Sequence, residues 1–226
     1  MDLLRDVRKA LRAIADPARA PAMQAYMKSA MPYHGVPMPL LRKVCRTTFA
    51  GLRFADAPQW TAEVLGLWRG ARFREERYAA IELSGDRRAT PYQVPAAMPM
   101  YEEIVVDGAW WDYVDVVASR RIGPILMSNP ATMRRLMRAW SRSDDLWKRR
   151  SSILSQLGFK GATDLELLYA CIEPSLGSRE FFLQKAIGWA LREFAWTDPA
   201  EVRRYVEAQH ERLAPLSRRE ALKNCG

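Results

Sequence analysis

The chain has 226 residues, 49% of them hydrophobic and 27% charged, and this ordinary globular composition excludes a disordered or collagen-like protein. Its 35 Lys and Arg residues against 26 Asp and Glu residues give a net charge of +9 at pH 7. A positive field favours nucleic acid or an anionic membrane surface as partner, although charge alone neither chooses between them nor requires any partner.

The few cysteines and histidines argue against several kinds of site. Cys45, Cys171 and Cys225 form no CxxC pair, so we expect neither a disulfide framework nor a zinc knuckle, and a reducing compartment fits. His34 and His210 lie near opposite ends of the chain, and the HxE and CxxC pattern of zinc deaminases is missing. We therefore expect no metal and no cofactor.

The N-terminal segment predicts a helix rather than a secretion signal. It is amphipathic and charged throughout, and no run of 18 apolar residues follows anywhere in the sequence. We expect no membrane partner and a cytoplasmic protein.

Periodicity along the chain is helical nearly everywhere, without a β-hairpin signal. Prolines separate the helical stretches, and several follow a residue that commonly begins a helix. They lie at Asp16-Pro17, Pro37 to Pro39, Ala57-Pro58, Thr90-Pro91, Asn129-Pro130, Glu173-Pro174, Asp198-Pro199 and Ala214-Pro215. We predict ten to thirteen helices, no sheet and a single domain over residues 1–226.

Three helical segments align at a spacing of 35 residues, which places Asp115, Arg150 and Lys185 at equivalent positions. The segments are AWWDYVDVVASRRI, DDLWKRRSSILSQL and REFFLQKAIGWALRE, and REERYAAIEL resembles an earlier copy. This period is typical of HEAT or armadillo helix pairs, which bury their apolar faces by stacking. The pattern predicts a curved solenoid of antiparallel helix pairs with these positions on one concave wall.

The segment that begins at Phe181 separates into two faces. An apolar stripe predicts the buried side, and it consists of Leu183, Ile187, Ala190, Leu191 and Phe194. The opposite side carries Phe181, Lys185, Trp189 and Arg192. These aromatic and basic side chains either pack against a neighbouring helix or face a phosphate backbone with its sugars and bases.

Arg150 and Asp115 each allow two interpretations. Arg150 lies among apolar residues, so its charge needs a carboxylate, of which Asp115 is the natural candidate, or an anion such as phosphate. Trp111 stands four residues before Asp115, so the two share a helix face. A carboxylate there either pairs with Arg150 or orients water and stabilises a developing cation.

Seven cations between Arg134 and Arg150 surround only Asp144 and Asp145. Such a run is either a solvated face or a track for phosphates.

These same segments resemble a known family. AMQAYMKSAMPYHGVPMP with Arg42 nearby, AWWDYVD, DDLWKRRSSI, REFFLQKAIGWALREFA and LAPLSRREALK are similar to the AlkD-type DNA alkylation repair enzymes, alkylpurine DNA glycosylases built from HEAT-like repeats. The resemblance extends from about residue 22 to the C-terminus.

The resemblance implies a role for each site residue. Asp115 would be the catalytic aspartate, and Trp111 and Trp189 would flank the lesion nucleotide. The predicted DNA contacts are Tyr26, Arg42, Arg149, Arg150, Phe181, Lys185 and Arg192. The implied partner is double-stranded DNA that carries N3- or N7-alkylated purines, bound by a monomer that excises the base without drawing it into a pocket.

Two other functions remain open at this point. A non-catalytic DNA-binding solenoid would use the same basic wall, but Asp115 argues against it. A protein-interaction scaffold would predict an acidic or apolar wall instead of Lys185, Trp189 and Arg192.

Overall fold

The computed structural model describes residues 2–226, which form helices joined by short turns, with no strand among them. Fourteen α-helices lie in these residues: α1 Leu3–Arg12, α2 Ala20–Tyr26, α3 Met38–Thr48, α4 Ala57–Gly70, α5 Arg74–Ser84, α6 Met98–Gly108, α7 Trp111–Val117, α8 Gly123–Ser128, α9 Pro130–Ser141, α10 Leu146–Leu154, α11 Leu165–Ile172, α12 Phe181–Phe194, α13 Pro199–Ala208 and α14 Pro215–Ala221. The predicted all-helical class is therefore confirmed.

The helix count exceeds the predicted ten to thirteen for physical reasons. Helix α2 buries none of its side chains, so it has no apolar stripe that could reveal it. A π-helical turn over Ala118–Ile122 also divides one continuous helical stretch into α7 and α8. None of the described helices is long and apolar enough to cross a membrane.

Aspartates begin several of the helices. The side chain of Asp56 accepts a hydrogen bond from the Gln59 amide at 2.8 Å, with Pro58 in the first turn of α4. Asp198 does the same for Glu201 at 2.9 Å, ahead of Pro199 in α13. These caps satisfy amides that have no partner within the helix, so the predicted starts at these prolines are confirmed. Pro91 instead lies inside a 3-10 helix, Arg87–Tyr92.

The chain divides into two compact units, one that ends at Met100 and one over Tyr101–Gly226. In the first unit, Trp60 and Trp68 of α4 are fully buried. The carboxylate of Glu75 accepts hydrogen bonds from the amides of His34, Gly35 and Val36 at 2.9–3.0 Å. These bonds fix the loop before α3 against α5.

The second unit contains two rows of helices. The three predicted equivalent segments are α7, α10 and α12, and α10 packs against both of the others, while α14 packs on α12. In the second row α9 packs against α11, and Tyr169 of α11 stacks on Tyr205 of α13 at 4.1 Å between ring centroids. These contacts are compatible with the helix pairs that the spacing of 35 residues predicts, and the HEAT-like repeat itself stays a prediction. The curved solenoid shape stays a prediction.

Candidate active site

The first part of the site is the turn into α7. Ala109 has a φ of +41°, a strained conformation for a residue other than glycine, and Trp110 then adopts extended backbone before α7 begins at Trp111. Val114 and Val117 are completely buried. Trp111 and Asp115 both keep part of their surface exposed on the other side of the helix, so the face predicted from their spacing is confirmed.

Asp115 is held by two hydrogen bonds from Arg150. Arg150 Nε donates to Asp115 Oδ1 at 2.7 Å, and Nη2 donates to Oδ2 at 2.8 Å. This parallel arrangement is the strongest geometry for a guanidinium and a carboxylate. The carboxylate side chain keeps 12% of its surface exposed, whereas that of Arg150 keeps only 5%. Asp115 is therefore fixed in orientation and still reaches solvent.

The remaining partner of Arg150 comes from α12. Its Nη1 donates to the carbonyl oxygen of Phe182 at 2.5 Å, and its guanidinium carbon lies 5.8 Å from the centroid of the Phe182 ring. The sequence left a carboxylate and a phosphate open as partners of Arg150, and in the structure Arg150 pairs with the carboxylate of Asp115. A phosphate contact of Arg150 stays a prediction, and it would need this residue to leave Asp115.

An aromatic cluster packs beside this ion pair. Trp110, Trp147 and Phe182 lie with ring centroids 5.0–6.2 Å apart. Asp145 caps α10 by accepting hydrogen bonds from the amides of Trp147 and Lys148, which fixes the start of the helix that carries Arg150. The apolar surroundings strengthen the attraction between Arg150 and Asp115 because they exclude water.

Burial raises the pKa of Asp115 above its ordinary value, and the nearby Asp112 acts in the same direction, while the hydrogen bonds and charge of Arg150 oppose them. The Asp115 carboxylate is consequently a stronger base than an exposed aspartate. Such a group suits the stabilisation of a cation or the orientation of a water molecule.

Helix α12 presents the two faces predicted for it. The apolar stripe from Leu183 to Phe194 is buried. Phe181 is 57% exposed, and Lys185, Trp189 and Arg192 are half-buried. The predicted division of this helix is confirmed, while DNA contacts along the outward face stay predictions.

The two cations on this outward face share one buried carboxylate. Glu220 of α14 lies 3.1 Å from Lys185 Nζ and 2.9 Å from Arg192 Nη1, and Lys223 also contacts it at 2.8 Å. Hydrogen bonds from Lys223 and Lys185 lower the pKa of Glu220 to about 2 against the effect of burial. Glu220 therefore holds both predicted DNA-contacting side chains in place beside Trp189.

The sequence did not single out Glu220, because α14 lies outside the aligned repeats. Gly188 is what allows its approach, since a Cβ atom there would lie 2.5 Å from the Glu220 Cβ. A glycine inside a strongly apolar helix was the available signal for this close packing.

Most of the cations between Arg134 and Arg150 form ion pairs or hydrogen bonds with other residues of the protein. Arg134 and Arg138 contact Glu166, and Lys148 contacts Glu102 at 2.6 Å. Arg149 donates to the Pro174 carbonyl at 2.9 Å and to Ser175 Oγ at 3.0 Å. These last two partners are neutral, and no acidic side chain of residues 2–226 pairs with Arg149, so its charge is not matched there. Its predicted DNA contact stays a prediction.

Tyr26 and Arg42 belong to the unit that ends at Met100. Tyr26 ends α2 and is 76% exposed. Arg42 of α3 contacts Glu82 through Nε at 3.2 Å. Both side chains reach solvent, as a DNA contact requires, and their roles stay predictions.

In residues 2–226, no group of three or more His, Cys, Asp or Glu side chains is placed so that it could hold a metal ion. The three cysteines are free and buried. Burial raises the pKa of Cys45 and Cys171 to about 12, so both thiols stay protonated at neutral pH.

Comparisons with known proteins agree with the resemblance seen in the sequence. The chain matches the family described as DNA alkylation repair enzyme over residues 7–225. A solved structure, "Predicted DNA alkylation repair enzyme from Enterococcus faecalis", superposes with a TM-score of 0.82 at 27% sequence identity and covers 92% of this chain and 95% of that one. No curated protein matches the chain. Because the family model matches residues 7–225, which is nearly the whole chain, this chain belongs to the DNA alkylation repair enzyme family.

Proposed function

We propose that the protein is a DNA glycosylase that excises cationic N3- and N7-alkylated purines from duplex DNA by hydrolysing the N-glycosidic bond. The observation that carries this proposal is the carboxylate of Asp115, fixed by two hydrogen bonds from Arg150, partly exposed, and placed on the same helix face as Trp111. Membership of the alkylation repair family supports DNA as the substrate.

The chemistry of the lesion makes a single carboxylate sufficient. Alkylation at N3 or N7 places a positive charge on the purine, so the base leaves without protonation by a general acid. As the bond to C1′ lengthens, the deoxyribose gains oxocarbenium character, as in other glycoside hydrolyses. A carboxylate interacts more strongly with this developing charge than with the ground state, and this difference accelerates the step.

Each side chain of the site has a defined task in this proposal. Asp115 stabilises the sugar cation and orients the water that attacks C1′. Trp111 and Trp189 offer electron-rich faces to the sugar as its charge grows. Arg150 is a positioning residue, because its hydrogen bonds fix the direction of both Asp115 oxygens.

The outward cations complete the proposed interface. Lys185 and Arg192, together with Arg149, would contact phosphates on either side of the lesion, and Tyr26, Arg42 and Phe181 would add further contacts. The protein would act as a cytoplasmic, nucleoid-associated monomer, without drawing the base into a pocket.

The test compares the wild type with Asp115→Asn on a duplex that carries one 7-methylguanine. Under single-turnover conditions with saturating protein, we expect the variant to release base slower by orders of magnitude while it binds undamaged duplex at least as tightly, because a negative charge near phosphates is lost. Circular dichroism controls for folding, since the amide still accepts a hydrogen bond from Arg150. Base release at the wild-type rate would exclude Asp115 from the mechanism, and no release by the wild type would favour a non-catalytic DNA-binding protein.

A further inference from the structure

A second cationic site lies in the unit that ends at Met100 and contains none of the residues that the proposed hydrolysis uses. It begins on one face of α3, where Arg42, Cys45, Arg46 and Phe49 follow one another at helical spacing. Cys45 and Phe49 are 3% and 2% exposed and form an apolar floor. Arg46 is exposed above this floor, and Arg42 is half-exposed.

The opposite wall comes from the end of α5 and the 3-10 helix that follows it. Glu82, Gly85, Asp86, Arg87 and Arg88 line this side, and the two walls border a cavity of about 430 Å³ that is open to solvent. Arg88 donates to both carboxylate oxygens of Asp86 at 3.0 and 3.1 Å and to the Ala50 carbonyl at 3.0 Å. These bonds tie the two walls together and fix the shape of the cavity.

The charges of the cavity do not cancel. Four arginines line it, and the two carboxylates of Glu82 and Asp86 neutralise only Arg42 and Arg88. Within residues 2–226, no acidic side chain pairs with Arg46 or Arg87. The lining therefore carries a net charge of +2.

The same lining also carries free hydrogen-bond donors. Arg42 uses only its Nε on Glu82, so its two terminal nitrogens stay available, as do the complete guanidinium groups of Arg46 and Arg87. The thiol of Cys45 has a pKa raised to about 12 by burial and adds no negative charge to the floor. Planar guanidinium groups bind tetrahedral oxyanions through paired hydrogen bonds.

We propose that this cavity, lined by Arg42, Arg46, Arg87 and Arg88, is a binding site for a phosphate group. A phosphate monoester carries a charge of about −2, which matches the excess charge of the lining. The same donors suit the phosphodiesters of a DNA backbone, so the phosphate belongs either to DNA or to a free monoester. None of its residues takes part in the proposed hydrolysis, although Arg42 is also one of the proposed DNA contacts, so the variants below leave Arg42 in place.

The test uses the double variant Arg46→Ala/Arg87→Ala of the full chain. Its matched control is Arg5→Ala/Arg12→Ala, which removes two exposed arginines of α1 in the same unit but outside the cavity. All proteins are titrated calorimetrically with inorganic phosphate and with adenosine monophosphate. We expect the Kd for phosphate to rise about tenfold or more in the cavity variant and to stay unchanged in the control.

A second measurement distinguishes the source of the phosphate. The affinity of each protein for undamaged duplex is measured against salt concentration, and two lost phosphate contacts would reduce the slope of log K against log salt by about two units. A reduced slope in the cavity variant alone identifies DNA as the source, whereas weaker binding of phosphate with an unchanged slope identifies a free monoester. The proposal is overturned if the cavity variant and the control behave alike in both measurements. Base release from 7-methylguanine duplex, scored separately, reports on the glycosylase proposal.

Discussion

Arg150 and Asp115, separated by 35 residues in the sequence, form one bidentate ion pair between α10 and α7. The pair joins positions that the spacing of 35 residues makes equivalent in the sequence. The charge of Arg150 is thus matched inside the protein, whereas that of Arg149, one residue earlier, is not.

This contrast predicts how two adjacent arginines affect DNA binding. We expect Arg149→Met to flatten the salt dependence of affinity for undamaged duplex by about 0.9 units, and Arg150→Met to leave it unchanged. Arg150→Met should still slow base release, because Asp115 loses its fixed orientation. The measurement is fluorescence anisotropy at several salt concentrations. A slope reduced by about one unit in Arg150→Met would show that Arg150 moves to a phosphate in the complex.

The pH dependence of base release tests the environment of Asp115. Because burial raises the pKa of this carboxyl, its charged form is lost at a higher pH than for an exposed aspartate, and the rate should fall as pH decreases through that pKa. Arg150→Met removes the group that lowers the pKa, so the acidic limb should move to higher pH. Single-turnover rates across pH, with Arg149→Met as control, measure this shift. Identical acidic limbs in all three proteins would contradict the assignment.

Substrate choice follows from the charge of the lesion. We expect release of 3-methyladenine and 7-methylguanine but not of uracil, hypoxanthine or neutral ethenoadenine, because a neutral base is a poor leaving group and no general acid is proposed for it. Bulky N3 or N7 groups should be tolerated. A panel of duplexes with one lesion each, assayed under identical conditions, checks this. Efficient release of hypoxanthine or uracil would indicate a pocket that reads the base.

Acid stability depends on a buried carboxylate in the other unit. Burial raises the pKa of Glu76, but the His34 ring nitrogen 3.6 Å away and hydrogen bonds from Arg8 and the Arg72 amide outweigh it and lower the pKa to about 2. This stabilisation, about 3 kcal/mol, is fully present above the ordinary pKa of glutamate and is lost as pH falls toward 2. Urea unfolding between pH 5 and pH 2 should show a weaker pH dependence for Glu76→Gln. An unchanged dependence would assign the acid sensitivity to other carboxylates.

The sequence predicted those features that depend on local periodicity. The buried stripe of α12 and the shared face of Trp111 and Asp115 follow from helical spacing alone, and both are confirmed. The spacing of 35 residues also pointed to Asp115 as one of two partners for Arg150. The sequence could not decide between the Asp115 carboxylate and a phosphate, because spacing does not show whether the side chains of two helices lie within hydrogen-bond distance.

Helical periodicity could not predict the contacts that backbone atoms and helices outside the aligned segments make at the candidate site. The Phe182 carbonyl accepts a hydrogen bond from Arg150 although α12 already satisfies most of its own carbonyls, and no side-chain pattern reports such a contact. Glu220 reaches Lys185 and Arg192 only because Gly188 admits α14. Both contacts depend on the distance between helix axes, which the sequence does not specify.

The π-helical turn at Ala118–Ile122 has a consequence for how the site helix joins its neighbours. One extra residue in a turn rotates everything after it by about 100° about the helix axis. The face that carries Trp111 and Asp115 therefore does not continue into α8, whose buried side packs on α9. Removal of one residue from this turn would restore the ordinary helical pitch. Either α8 would then lose its packing on α9, or α7 would rotate so that Trp111 and Asp115 no longer face α10.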